Sequence, residues 1–221
     1  TQDNGELYKN HQGWFTNRGG DWTSTMYFDY SPQHHVYYMS DGERRSFGSL
    51  PGTSDYNSPF TPTKNSRIAF QKSLPGLAIL AKDTVWKTTN LDAATPTWSA
   101  VFAISNPIRD MVISTADSNR AFVMHNNKIT RIDNLLTSPT VTSYNLPASA
   151  SLRGSIASVR SNIDLVYMSC NSRVYRSTDA GANWVNVTYN LPSTNILKIY
   201  HDDYSSNERV FVCSGYRIFT K

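Results

Sequence analysis

Three carboxylates stand where they could act on a substrate. Asp3, Asp21 and Asp41 each lie in a turn segment with glycine close by, at Asp3-Asn4-Gly5, Gly20-Asp21 and Asp41-Gly42. Carboxylates brought from different parts of a chain into one cleft are the equipment of acid–base hydrolysis: one donates a proton while the other activates the attack. Turn closure also accounts for each of them, because an Asp side chain hydrogen-bonds its own backbone two residues on.

Other chemistry is harder to assemble. There is no G-x-S-x-G elbow, phosphate loop or Cys–His pairing. His34 and His35 fall in a turn after Ser31-Pro32-Gln33. Adjacent side chains on a strand point opposite ways, so they are poor co-ligands for one metal. No metal and no cofactor is expected. Cys170 and Cys213 lack metal-ligand spacing. Aligning Val166 with Val210 puts Ser169, not Cys170, opposite Cys213, and one residue of offset reverses the strand face. Two buried free thiols are therefore expected rather than a disulfide. Trp14, Trp22, Tyr56 and Phe60 read as loop aromatics that could stack on a sugar or anchor a protein, with inward packing as the rival role, above all for Trp22. Asn186-Val187-Thr188 is a glycosylation sequon in a host that has the machinery.

The elements that position these residues follow from composition and period. The 221 residues are 39% hydrophobic, 12% aromatic and only 17% charged, with a net charge of +4. That excludes a coiled coil or a disordered chain. The basic residues form no run, so nucleic acid is not an expected partner. No stretch approaches the roughly 18 apolar residues of a membrane helix. Thr1 in place of an initiator Met reads as a mature or excised piece, and abundant Ser, Thr, Asn and Tyr lean toward a secreted or cell-surface protein.

Short apolar stretches recur every 43–44 residues, anchored at Val36, Ile79, Phe122, Val166 and Val210. Each anchor strand is followed by a polar turn and an alternating strand such as Val85–Thr88, Ile129–Ile132, Val174–Ser177 or Ile218–Lys221. Another apolar strand precedes each anchor, at 26–28, 68–70, 111–113, 156–159 and 197–200. A fourth follows Trp98 and Trp184, or ends at Asn145-Leu146-Pro147 and Asn190-Leu191-Pro192. Three or four short strands per 40–45 residues is the period of a propeller blade, whose sheet has no stable core without its neighbours. An all-β propeller of about five four-stranded blades is expected over 1–221 as one domain, with a turn-rich insertion near 41–64.

Ser177-Thr178-Asp179-Ala180-Gly181-Ala182-Asn183-Trp184 matches the pattern Ser/Thr-x-Asp-x-Gly-x-x-Trp. The Asp accepts backbone N–H groups within the turn, the Gly supplies a conformation closed to other residues and the Trp packs beneath. Thr89 to Trp98 is a lengthened, degenerate version, and Asp133-Asn134 takes the same place one unit on. On these residues the chain resembles the Asp-box β-propellers, the BNR, sialidase-like and sortilin-like repeats, and within them secreted bacterial surface members. The passages Gln2-Asp3-Asn4-Gly5, Gly19-Gly20-Asp21-Trp22 and Asp29-Tyr30-Ser31-Pro32 carry the same resemblance, although Trp22 stands where the group commonly has Gly.

The resemblance implies a structural role for Ser177, Asp179, Gly181 and Trp184, and it makes catalysis a case to test. Arginines are scattered, and Arg67-Ile68-Ala69 lacks an Arg-Ile-Pro signature, which argues against a sialidase site. The leading expectation is a non-catalytic binding or assembly module for glycan or protein at a propeller face. A glycoside hydrolase, sialidase- or xyloglucanase-like, or a fragment of one is the alternative, and a subunit of an extracellular fibre or surface layer is the third. Residues 2–17 read as the last two strands of a blade and 196–221 as the first three. Either an N-terminal strand closes the last blade into a five-bladed ring, or the blades are cut from a larger propeller.

Overall fold

The computed structural model describes side chains over 59–60 and most of 66–220, omitting 72, 75, 92, 94–95, 105–107, 148–153, 194–195, 205–207 and 215–216 and, at 197, the side chain. Of residues 1–58 it describes the backbone of five strands only. These are β1 (Leu7–Asn10), β2 (Gly13–Thr16), β3 (His35–Tyr38), β4 (Arg44–Phe47) and β5 (Ser54–Asp55). β1 pairs with β2, and β3-β4-β5 make a three-stranded antiparallel sheet. β4 and β5 thus lie inside the stretch read as an insertion, and His35 opens a strand rather than sitting in a turn.

Three four-stranded sheets follow. The first contains β6 (Arg67–Phe70), β7 (Ala78–Ala81), β8 (Thr84–Thr88) and β9 (Ser99–Ala103). The second contains β10 (Ile108–Ile113), β11 (Ala121–His125), β12 (Lys128–Asp133) and β13 (Thr140–Asn145). The third contains β14 (Gly154–Val159), β15 (Asn162–Cys170), β16 (Arg173–Ser177) and β17 (Val185–Asn186). A last sheet of three strands holds β18 (Ile196–His201), β19 (Val210–Ser214) and β20 (Arg217–Thr220). All pairings are antiparallel and follow chain order. The first strands of successive sheets touch, β6 against β10, β10 against β14 and β14 against β18. Sheets radiating from adjacent first strands are the blades of a β-propeller.

Burial falls from the first two strands outward, and the sequence shows why. A strand covered on both faces reads as a continuous apolar run: Ala78, Ile79, Leu80 and Ala81 of β7 are all buried, whereas β13 is mostly exposed. Alternate residues of β11 serve two different cores. Ala121 and Val123 pack toward the preceding sheet with Ile79 and Val85, while Phe122 and Met124 pack toward the next with Val166 and Met168. Phe122, Val123 and Met124 each contribute about 1.5–3 kcal/mol that a lone sheet would forfeit.

Register refines the repeat. Val166 pairs with Ser177, and the equivalent pairs in the two preceding sheets are Ala121 with Ile132 and Ala78 with Thr88. The equivalents of Val166 are therefore Ala78 and Ala121, one residue before Ile79 and Phe122. The two cysteines behave as the offset requires, since Cys170 packs toward the preceding sheet and both thiols are free. Cys213 is half-buried rather than buried, because its side of β19 lies opposite the packed Val210 and Val212.

Candidate functional site

In the last four sheets a polar residue directly precedes an isoleucine or methionine of the first strand: Arg67-Ile68, Asp110-Met111, Ser155-Ile156 and Lys198-Ile199. These four positions are structurally equivalent, pairing respectively with Ala81, Met124, Ser169 and Cys213. Two of them follow bulges, where the ladder skips Arg109 before Asp110 and Leu197 before Lys198. A bulge bends the strand and re-aims the side chain beside it.

The result is a polar hub across three sheets, centred on one carboxylate oxygen. Asp110 Oδ2 accepts from Lys198 Nζ at 2.6 Å, from Ser155 Oγ at 2.7 Å and from the Ile156 amide at 3.0 Å. Ser155 Oγ in turn accepts weakly from the Ile199 amide at 3.4 Å. Arg67 donates from Nε to the Arg109 carbonyl and from Nη1 to that of Ser66. Burial lowers the Arg67 pKa, and nearby Asp110 works against that. Arg109 is lowered by burial in the same way.

Asp110, Ile156 and Lys198 of the hub line one end of a groove of about 280 Å³ that runs along the four first strands. Its other end holds Gln71, Thr115, Ser158 and the pair His201 and Asp203. Here too the sheets are tied at one-blade spacing, Gln71 Nε2 donating to the Ser114 carbonyl at 2.6 Å and the Thr115 amide to Ser158 Oγ at 3.0 Å. His201 Nδ1 lies 3.0 Å from Asp203 Oδ1, and its buried Nε2 has no partner among the described residues. A larger cavity of about 440 Å³ opens between the last two sheets, lined by Tyr167, Val187, Tyr189, Val210 and Phe219. It is apolar, whereas the smaller groove holds the chemistry.

Outward from the groove, ion pairs staple neighbouring sheets at the end where first strands finish. Arg120 binds Asp133 at 2.6 Å and, one sheet on, Asp164 at 2.7 Å. Glu208 accepts from Arg176 at 2.9 Å and from the Tyr167 hydroxyl. Burial and the Glu208 carboxylate push the Tyr167 phenol up to about 12. Although burial works the other way, bonds from Arg176 and Tyr167 hold Glu208 below the usual carboxylate range.

At Ser177–Trp184, Asp179 accepts from the Ser177 hydroxyl at 2.8 Å and from the Asn183 amide at 2.8 Å, while Gly181 N donates to Ser177 Oγ at 2.8 Å. Trp184 Nε1 donates to the Gly181 carbonyl, and Gly181 adopts φ +89° where a Cβ would meet Ile129 at 3.3 Å and Trp184 at 3.7 Å. The group closes a turn and lines neither of the two cavities described above. Its degenerate relative begins at Thr88 rather than Thr89: Thr88 Oγ1 and the Thr97 amide both donate to Asn90 Oδ1, at 2.9 Å each.

Of the aromatics singled out from sequence, Phe60 is half-buried against Ile68, Ala78, Leu80 and Leu91, so it packs inward. Trp14 lies in β2 opposite Lys9. Trp22, Tyr56 and the three carboxylates Asp3, Asp21 and Asp41 lie outside the described residues. The structure instead brings together Asp110, Ser155 and Lys198 at one end of the groove and His201 and Asp203 at the other, none of them a candidate on sequence grounds. The polar residue recurring before a first-strand isoleucine or methionine was the available signal.

No family model matches the chain, and no curated protein matches it. Among solved structures the chain is similar to the GH74 enzyme of Niastella koreensis, with a TM-score of 0.58 and 15% identity over 92% of this chain. The match spans 30% of that enzyme's length. At that identity the likeness carries the fold, a β-propeller, and no activity.

Proposed function

We propose that this chain is a non-catalytic binding or assembly module, secreted or displayed at a cell surface, that holds a glycan or protein at one propeller face. The observation that carries this reading is the state of Asp110. Its Oδ2 already accepts three hydrogen bonds, one from an ammonium, and so behaves as a structural hub. A general acid or base must be within reach of a substrate proton and free to exchange one. Asp203, the other groove carboxylate, is engaged by His201.

A second reading is a glycoside hydrolase or a piece of one, favoured by the likeness to the GH74 enzyme and by a groove that contains both Asp110 and Asp203. A glycan array together with a pull-down from surface extracts tests the module. Retention of a defined glycan or one specific protein supports it. Turnover of a polysaccharide, abolished in Asp110→Asn or Asp203→Asn, would replace it with the second reading.

A further inference from the structure

The two ends of the described blades differ in charge. Where first strands begin, the described side chains include Arg67, Arg109 and Lys198 beside the groove, Lys82 in a turn, and Lys128, Arg173 and Arg217 further out. The carboxylates described at this end are Asp83 and Asp110, and Asp110 is already bound by Lys198. The opposite end carries Asp117, Asp133, Asp164, Asp179, Asp202, Asp203 and Glu208, most of them held by arginines or His201. Acids and bases cancel there, and at the first end they do not.

The outer cations are placed by the fold. Lys128, Arg173 and Arg217 are equivalent, each closing the turn between the second and third strand of its sheet opposite His125, Cys170 and Ser214. All three are exposed. One cation in each of three successive blades, with Thr84 at the matching position of the blade before them, makes an arc, which suits an extended polymer carrying charge at intervals more than a compact anion. Tyr189 stands on the same end, in the connection from β17 to β18. It is 71% exposed and has φ +49°, a conformation that a bulky residue seldom adopts. An exposed aromatic ring at the cationic end, here at the mouth of the larger cavity, fits a sugar ring bearing a carboxylate, since the ring face stacks while the charge pairs.

We infer that this end of the propeller binds an anionic polysaccharide of the uronic-acid type, a refinement that rests on the binding-module reading. The probes are polygalacturonate, a neutral galactan, poly-glutamate and duplex DNA, each in affinity electrophoresis with the full chain. Polygalacturonate should retard the protein, and raising salt from about 50 to about 500 mM should weaken retention roughly tenfold or more. The triple variant Lys128→Glu/Arg173→Glu/Arg217→Glu should lose roughly tenfold or more in affinity, while Arg160→Glu, exposed at the other end, should bind as the parent does. Tyr189→Ala should weaken polygalacturonate binding without changing the salt slope.

Unchanged binding by the triple variant overturns the inference. So does equal or tighter capture by poly-glutamate or DNA, which would make the partner a protein or a nucleic acid. Retention by the neutral galactan alone overturns the anionic class and leaves the module standing. Release of sugar products overturns the module itself.

Discussion

Lys198 sets its ammonium 2.6 Å from the carboxylate of Asp110, a residue 88 positions earlier and two sheets away. The sheet between them contributes Ser155 and the Ile156 amide to the same oxygen. Three blades thus meet at one atom. The contact joins elements that no local pairing connects, which is the role a propeller needs filled near its axis.

Removing that carboxylate should be costly. Asp110 is 13% exposed and Lys198 about a third exposed, so the usual penalty for breaking a buried pair is discounted. Asp110→Ala should lower unfolding free energy by about 2 kcal/mol in urea titration. The double variant Asp110→Ala/Lys198→Met should lose less than the sum of the single losses.

At Gly154 the limit is space. A Cβ there would meet Met124 Cε at 2.6 Å and the Ser169 carbonyl oxygen at 2.7 Å. Methionine can move, whereas the backbone of β15 cannot without opening the ladder. Gly154→Ala should cost about 1–3 kcal/mol in urea titration, as overpacking does.

The turn at Asp179 has a pH signature. Bonds from the Asn183 side chain and amide hold its carboxyl below the ordinary 3.8. A depressed folded pKa stabilises above the unfolded value and is lost as pH falls through the folded value. The stability gap between the parent and Asp179→Ala should be constant near neutrality and shrink below pH 3.8. Asp179→Asn should be milder than the alanine variant, because Asn90 already performs this role in another blade.

The thiols should separate by reactivity. Burial pushes Cys170 up to about 11, so at neutral pH it is a protonated thiol without access to reagent. Iodoacetamide on the native protein should label the half-buried Cys213 first, and peptide mass spectrometry reads the order. Labelling of both only after denaturation would show that Cys213 is covered.

Much of the blade pattern is legible in the sequence, since strands buried on both faces must be continuously apolar and the outer strands need not be. The anchors at Ile79 and Phe122 stand one residue off because β7 is apolar throughout and β11 is apolar over Ala121–Met124, and hydrophobicity alone cannot choose a register there. The Asp179 turn was readable because its chemistry is local, within eight residues. The hub was not, for a related reason. Asp110, Ser155 and Lys198 are unremarkable singly, and their meeting depends on bulges at Arg109 and Leu197 that no residue type announces. Phe60 does lie in a bend, and its inward packing depends on a face that only the first four-stranded sheet supplies.

Binding without turnover is tested most directly by reducing-end release. Incubated with polygalacturonate, galactan and xyloglucan at substrate excess, the protein should generate no reducing ends above the blank. Steady release from any of them, lost in Asp110→Asn or Asp203→Asn, would contradict the claim and assign the groove to catalysis.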